Sequence, residues 1–103
     1  MIKVTVLYPN NEDKNFNLQY YMDVHIPLVK RRLGDTCKKV EVEKGIVGDV
    51  PGSMPANIVI GYLYFDSVEN FQNAFSPHAN EIMGDIANFT TINPIVQISE
   101  VLL

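Results

Sequence analysis

Apolar residues recur at helical spacing between residues 18 and 34, and a histidine lies among them. At about 100° per residue, one face of this segment carries Leu18, Tyr21, Met22, His25, Leu28, Val29 and Leu33. The pattern predicts an amphipathic helix that begins after an Asn17 cap and ends at Gly34. Pro27 lacks a backbone N–H and clashes with the preceding turn, so we expect a kink or a break near Ile26.

Alternating apolar and polar residues, together with one short apolar run, predict four β-strands. These strands are expected over residues 2–8, 38–47, 58–65 and 95–101. Turn-forming polar residues predict a loop over residues 9–15, and Gly and Pro predict another over residues 48–56.

A second helical region is expected between the third and fourth strands. Residues 66–69, Asp-Ser-Val-Glu, resemble a capping box in which Asp or Ser leads and Glu follows. The buried stripe that we expect after it consists of Val68, Phe71, Ala74 and Phe75. Pro77 interrupts this helix. A further helical segment is expected over residues 78–86, and its predicted anchors are Ile82, Met83 and Ile86.

The predicted order of elements, βαββαβ, indicates an α+β chain with a ferredoxin-like fold, in which two helices pack on one face of a four-stranded antiparallel sheet. We expect residues 1–103 to form a single domain. The third strand is apolar on both faces, although a strand covered on only one face should alternate. We therefore expect the uncovered face to meet a second copy of the sheet in a two-fold homodimer. The alternative is a monomer whose apolar face binds a ligand.

Composition and charge exclude several classes of partner. The chain has 8 basic and 12 acidic residues, and its net charge is −4. No basic run is longer than residues 30–32, so we expect neither nucleic acid nor an anionic membrane as a partner. The single cysteine, Cys37, cannot form a disulfide within the chain. No stretch approaches the ~20 apolar residues of a membrane span and no signal peptide is recognisable, so we expect a cytoplasmic protein.

Four motifs are spread over nearly the whole chain. They are Tyr20-Tyr21-x-x-x-His25-x-Pro27-Leu28, Phe71-x-x-x-Phe75-x-x-His78, Asp85-Ile86-x-Asn88-Phe89-Thr90 and Pro94-x-x-Gln97-Ile98-Ser99. Together they resemble the EthD family, which is named for a protein of ethyl tert-butyl ether degradation. The resemblance implies a dimeric α/β barrel, in which two ferredoxin-like protomers face each other through their sheets. One departure is Phe89, where family members often carry tyrosine, so no role for a phenol is expected there.

His25 is the candidate catalytic residue. A neutral imidazole can accept or return a proton when a substrate lies within hydrogen-bond reach. The alternative is a core histidine whose ring nitrogens are satisfied by the backbone or by a tyrosine. Of Tyr20 and Tyr21, the helical pattern places only Tyr21 on the face of His25, and Asp85 can either pair with a histidine or cap a turn. No metal-ligand spacing surrounds His25, so no metal site is expected.

Further candidate contacts for a substrate are Tyr21, Tyr62, Tyr64, Phe75 and His78. Tyr62 and Tyr64 share one face of the third strand, where a phenol can donate a hydrogen bond to a ligand oxygen or pack at an interface. His78 follows a helix break and is either a substrate contact or a histidine at the helix end.

The superfamily that the resemblance implies contains isomerases, lyases, cyclases, monooxygenases and haem-linked proteins, many with a hydrophobic cavity between helices and sheet. We therefore expect a small hydrophobic or aromatic ligand in such a cavity, with cofactor-independent proton transfer by His25. One alternative is a non-catalytic accessory or ligand-binding protein of a degradative pathway. Another is a haem-linked protein with a histidine as axial ligand. The sequence contains neither a Gly-rich phosphate loop nor a nucleophile elbow, and no cofactor is expected.

Overall fold

The computed structural model describes residues 1–11 and 15–103 of the chain. Its strands are β1 (Ile2–Pro9), β2 (Lys39–Lys44), β3 (Asn57–Phe65) and β4 (Ile95–Glu100). Neighbouring strands are antiparallel, and they lie in the order β2-β3-β1-β4. With a helical region after β1 and another after β3, the predicted ferredoxin-like α+β fold is confirmed. Residues 12–14 of the predicted polar loop lie outside the described residues.

The second strand is shorter than predicted, because it ends at Lys44 rather than at residue 47. Gly45 still donates its N–H to the carbonyl of Ile58 at 2.8 Å, and the chain then leaves the sheet. Ile46, which fits the alternating pattern, is largely exposed. Its apolar side chain therefore takes no part in the packing of the sheet.

The first helical region covers residues 18–33 in three successive parts. They are α1 (Leu18–Tyr20), a π-helical turn (Tyr21–His25) and α2 (Ile26–Leu33). The predicted start is confirmed, because the side-chain oxygen of Asn17 accepts a hydrogen bond from the N–H of Tyr20 at 3.0 Å. The predicted end is confirmed as well, because Gly34 has a φ of 61°, a left-handed conformation that favours glycine.

The π-helical turn is the irregularity that Pro27 predicts. Pro27 cannot donate to the preceding turn, and the N–H of Ile26 donates to the carbonyl of Tyr21 instead of that of Met22. The extra residue in this turn changes which side chains face the sheet. Met22 is 43% exposed as a result, so its predicted place in the buried stripe is wrong. His25, at the end of the turn, is only 5% exposed.

The second helical region covers residues 68–88 in four parts. They are α3 (Val68–Phe75), a 3₁₀ turn (Ser76–His78), α4 (Ala79–Asp85) and a second 3₁₀ turn (Ile86–Asn88). The hydroxyl oxygen of Ser67 accepts a hydrogen bond from the N–H of Asn70 at 3.0 Å, so Ser67 rather than Asp66 is the N-cap. No helix among residues 1–11 and 15–103 is long and apolar enough to cross a membrane.

Two of the predicted buried anchors in this region are wrong. Val68 opens α3 ahead of the turns that pack on the sheet, and its side chain is exposed. Met83 is exposed too. Ile82 is the buried residue of α4, and its neighbour Met83 points in a different direction because adjacent helical residues lie about 100° apart. Phe71 and Phe75 pack against the core as predicted.

The core lies between the helices and one face of the sheet, in two clusters. The first contains Val4, Val29, Leu33, Phe65 and Ile82, and the second contains Tyr8, Tyr21, Val59, Phe89 and Ile92. In the register of β1 and β3, Val4 lies opposite Leu63, and Val6 lies opposite Gly61. These residues belong to the face that the helices cover, because side chains alternate along each strand.

The other face of the sheet, called the open face below, carries Tyr62 and Tyr64. The hydroxyl of Tyr62 donates to a carboxylate oxygen of Glu43 at 2.7 Å, and that of Tyr64 donates to Glu41 at 2.7 Å. The ammonium of Lys3 lies 4.7 Å from the centre of the Tyr62 ring, which allows a cation–π contact. The part of the open face formed by β2 and β3 therefore mixes aromatic rings with charged groups.

Candidate functional site

A cavity of about 330 Å³ lies between the helix-facing side of the sheet and the two helical regions. Much of its wall is apolar and includes Val4, Val6, Leu63, Val29, Phe71 and Ile82. None of the described residues that line it is Lys, Arg, Asp or Glu. Polar side chains of Tyr8, Tyr21 and His25 also border it. Such a cavity favours neutral molecules over charged ones, because a buried charge without a partner is costly.

His25 reaches this cavity from the end of the π-helical turn. Its Nδ1 lies 2.9 Å from Oδ2 of Asp85, the last residue of α4. The imidazole stacks on the Tyr21 ring at a centroid distance of 5.7 Å and lies 4.7 Å from the centroid of Phe89. The ring is thus held by a carboxylate at one edge and by aromatic rings on its faces.

The carboxylate of Asp85 is anchored by two more donors. Its Oδ1 accepts from the hydroxyl of Tyr20 at 2.6 Å and from the side-chain N–H of Asn88 at 2.9 Å. Burial raises the pKa of Asp85, but the hydrogen bonds from Tyr20, Asn88 and His25 outweigh it and leave that pKa below its ordinary value. Asp85 is therefore ionised at neutral pH, and it can only accept hydrogen bonds there.

The protonation state of His25 follows from its surroundings. Burial lowers the pKa of His25, and the hydrogen bond with Asp85 offsets only part of this effect. The imidazole is therefore neutral at neutral pH. Because the carboxylate of Asp85 accepts at Nδ1, that nitrogen carries the hydrogen and Nε2 keeps a free lone pair.

Nε2 of His25 has no hydrogen-bond partner among the described residues. Within residues 1–11 and 15–103, no hydrogen bond to Nε2 is present, whereas every side-chain nitrogen or oxygen that is sealed from open space has a partner. His25 is also one of the residues that line the cavity. The arrangement presents a neutral base, supported from behind by a carboxylate, to an apolar chamber.

The structure brings together three of the predicted site residues. His25, Tyr21 and Phe75 all line the cavity, and Phe75 stacks on Phe71 at a centroid distance of 5.3 Å. Tyr21 is almost fully buried, and burial raises the pKa of its phenol to about 12. Its hydroxyl lies above Gly61, where a Cβ atom would be only 2.6 Å away.

The side chains of the other three predicted contacts point elsewhere. Tyr62 and Tyr64 extend from the open face, since their hydroxyls bond to carboxylates of β2. Tyr62 can border the cavity only through its main chain, because Gly61 and Leu63 occupy the helix-facing side. His78 ends a 3₁₀ turn and is not among the described residues that line the cavity.

Two contributors to the site were not identified from the sequence. Tyr20 lies off the predicted apolar face, yet its hydroxyl donates a hydrogen bond to the carboxylate of Asp85. Tyr8 of β1 borders the cavity from the sheet. No local pattern links Tyr20 to Asp85, because these residues are 65 positions apart. Among the described residues, no group of three or more His, Cys, Asp or Glu side chains could hold a metal ion.

Comparisons with solved structures agree with this architecture. A crystal structure of an EthD-like protein from Ralstonia eutropha shares 48% identity, covers 99% of this chain and 92% of its own, and has a TM-score of 0.95. One of an EthD family protein from Bacillus halodurans shares 22% identity over 99% of both chains, with a TM-score of 0.67. A dimeric protein of unknown function with a ferredoxin-like fold, from Bacteroides fragilis, shares 15% identity over 97% of this chain and 95% of its own, with a TM-score of 0.57.

Comparison with curated proteins gives no match. The model of the EthD domain matches residues 11–92, which include both helical regions and the His25–Asp85 pair. The match extends over most of the chain, and the Ralstonia eutropha relative is similar over almost its full length. This chain therefore belongs to the EthD family.

Proposed function

We propose that the protein binds a small, neutral, mainly apolar molecule in the cavity and that His25 transfers a proton to and from it. The observation that carries this proposal is the neutral imidazole of His25 in the wall of a chamber whose described lining has no charged side chain. An imidazole with its pKa near or below neutrality is a suitable general base at neutral pH.

Asp85 gives this base its direction and its support. The carboxylate holds the hydrogen on Nδ1, so that Nε2 is the nitrogen that accepts a proton from the ligand. After the transfer, the imidazolium would lie 2.9 Å from a carboxylate that is itself held by Tyr20 and Asn88. This arrangement stabilises the protonated histidine in a cavity that has no other anion among its described lining residues.

The size of the cavity limits the ligand. An apolar cavity of about 150 Å³ holds one benzene ring, so a volume of about 330 Å³ corresponds to roughly two such rings. A carboxylate or phosphate on the ligand would be buried without a cationic partner in the described lining. We therefore propose a neutral ligand of about two rings or a similar aliphatic volume.

Deuterium exchange into a small carbon acid tests this proposal without knowledge of the natural substrate. The probe is 2-tetralone, a neutral two-ring ketone whose α-hydrogens exchange in D₂O and are followed by proton NMR. We expect the protein to accelerate the exchange above the buffer rate, and we expect His25→Gln to abolish the acceleration. His78→Gln is the matched control, because His78 does not line the cavity in the described structure.

The same measurement separates the alternatives. A folded His25→Gln protein that exchanges 2-tetralone at the wild-type rate would reject His25 as the base. A protein that binds naphthalene but exchanges nothing would instead be the non-catalytic ligand-binding alternative. The haem-linked alternative stays a prediction, and a Soret band that appears on addition of haemin and disappears in a histidine variant would support it.

We also infer that two copies of the chain associate through the open face. Support comes from Ile60 of β3, an apolar residue that lies between the core-facing Val59 and Gly61 and therefore points to the open face. Ile95 of the edge strand β4 is also exposed. The Bacteroides fragilis protein of similar fold is described as dimeric. We expect sedimentation to give a dimer and Ile60→Asp to shift it toward the monomer; a monomeric wild-type protein at micromolar concentration would contradict this inference.

A further inference from the structure

We propose that the hydroxyls of Tyr8 and Tyr21 form an oxyanion-binding pair beside His25, and that the substrate class is therefore a neutral carbonyl compound with an acidic α-hydrogen. This inference rests on the proposed role of His25 as a base and adds the group that the base acts on. It concerns two phenols that lie on different elements, β1 and the π-helical turn, and that border the same cavity.

The two rings are fixed closely beside each other. Tyr8 is 1% exposed and Tyr21 is 2% exposed, and their centroids lie 5.8 Å apart at an angle of 80°. Tyr21 also stacks on the imidazole of His25 at 5.7 Å. Phe89 packs against both phenol rings, at 5.8 Å from Tyr8 and 5.2 Å from Tyr21. These contacts leave little freedom for either phenol to turn away.

Neither hydroxyl bonds to another described residue of the chain. Within residues 1–11 and 15–103, no hydrogen bond from the side chain of Tyr8 or Tyr21 is present, and every sealed side-chain oxygen or nitrogen has a partner. Both residues line the cavity, so we infer that their hydroxyls are available to a ligand there. A buried hydroxyl without a protein partner is costly, so a ligand acceptor that reaches it gains a favourable hydrogen bond.

The sheet makes room for one of these hydroxyls. Gly61 of β3 lies below Tyr21, and a Cβ at that position would be 2.6 Å from the phenol oxygen. Any larger residue would displace the hydroxyl. Glycine in the interior of a strand often marks a site where another group approaches closely, and here that group is the polar end of Tyr21.

Both phenols are donors at neutral pH. Burial raises the pKa of Tyr21 to about 12, and burial together with the nearby Tyr21 raises the pKa of Tyr8 further. His25 has the opposite role, because its Nε2 carries a lone pair. The two phenols can thus donate hydrogen bonds to a ligand oxygen, and His25 can accept a proton from the ligand. A carbonyl with an α-hydrogen meets both requirements, because its oxygen accepts and its α-carbon releases a proton.

The step is balanced without a further reactant. Nε2 of His25 takes the α-proton, and the electrons of the C–H bond form the C=C bond of an enolate. The electrons of the C=O π bond move to the oxygen, where hydrogen bonds from Tyr8 and Tyr21 stabilise the negative charge. The imidazolium then returns the proton to the same carbon or to another position of the enolate. Exchange or isomerisation follows, and His25 is restored.

The test compares 2-tetralone exchange with the binding of naphthalene, which has the same size but no oxygen. Loss of one oxyanion donor costs about 10²–10³ in kcat, so we expect Tyr21→Phe and Tyr8→Phe each to lower the exchange rate by at least about 10-fold. Naphthalene affinity should be unchanged. Tyr64→Phe is the matched control, because this phenol donates to Glu41 on the open face and Tyr64 is not among the described residues that line the cavity, and its exchange rate should equal that of wild type.

The outcomes distinguish this inference from the proposed function. If His25→Gln abolishes exchange but both phenylalanine variants keep the wild-type rate, the oxyanion pair is refuted and the base stands. If His25→Gln keeps the rate, the base is refuted. If the wild-type protein binds naphthalene but exchanges no 2-tetralone, both the base and the carbonyl class are refuted. Should Tyr21→Phe fail to fold, Gly61→Ala tests the same point, because it displaces the hydroxyl without removing it.

Discussion

Replacement of Asp85 by asparagine tests the chemistry of the site while keeping its shape. The carboxylate accepts hydrogen bonds from Tyr20 at 2.6 Å, Asn88 at 2.9 Å and His25 at 2.9 Å. An asparagine amide has nearly the same volume, but the N–H group that it can turn toward Nδ1 is a donor. The favoured tautomer of His25 would then carry its hydrogen on Nε2. The cavity would face an N–H group instead of a lone pair.

The expected loss of exchange rate in Asp85→Asn follows from the role of the carboxylate beside His25. A histidine base that loses its carboxylate loses up to about 10⁴-fold in kcat. We expect the exchange of 2-tetralone to fall by about 10²–10⁴-fold, which corresponds to about 2.7–5.5 kcal/mol in the activation barrier. The side chains of His25 and Asp85 are 6% and 11% exposed, so solvent weakens this pair little. The free energy of unfolding should fall by about 1–3 kcal/mol, because a buried charged acceptor is lost.

The assay measures the initial exchange rate by proton NMR and the tautomer of His25 from its ¹⁵N chemical shifts. Asp35→Asn is the control, because Asp35 is an exposed carboxylate in the 3₁₀ turn that follows α2. We expect Asp35→Asn to keep the wild-type rate and tautomer. A folded Asp85→Asn protein with the wild-type exchange rate would refute the role of Asp85, and so would a lost rate with an unchanged tautomer.

Four further predictions test the surroundings of the base. The exchange rate should rise with pH through the pKa of His25, which burial holds below the ordinary 6.5, and a rate that falls over this range would contradict a neutral base. Unfolded His25 takes up a proton more readily than folded His25, so the free energy of unfolding should fall as the pH drops below about 6.5. Urea unfolding at several pH values measures this, and a free energy that does not fall would contradict the lowered pKa. Gly61→Ala should lower the free energy of unfolding by about 1–3 kcal/mol, and a Tyr21→Phe background should restore most of it, because the clash is with the phenol oxygen; equal losses in both backgrounds would disprove that cause. Pro27→Ala restores a backbone donor and should favour a regular α-helix, which would move His25 and lower the exchange rate; an unchanged rate and unchanged backbone shifts would show that Pro27 does not maintain the π-helical turn.

The sequence alone determined the elements and most of their ends. Periods of two and of 3.6 residues are local properties, so alternation along β1 and the apolar stripe around His25 could be read directly. The caps at Asn17 and Gly34 are local as well, because each depends on one side chain or on one backbone conformation. Pro27 predicted an irregularity for the same reason, although the form it takes, a π-helical turn, displaced Met22 from the predicted stripe.

Only the tertiary structure decided which of these residues act together. Alternation showed that Tyr62 and Tyr64 share a face, but the packing of the helices made it the face opposite the cavity. The pairing of His25 with Asp85 joins positions that are 60 residues apart, and it depends on how α4 lies beside the first helical region. Tyr20 joins the site for the same reason, through a carboxylate and not through its own helix face. Local patterns determine which way a side chain points, whereas packing determines what it meets, and the chemistry of this site depends on the second.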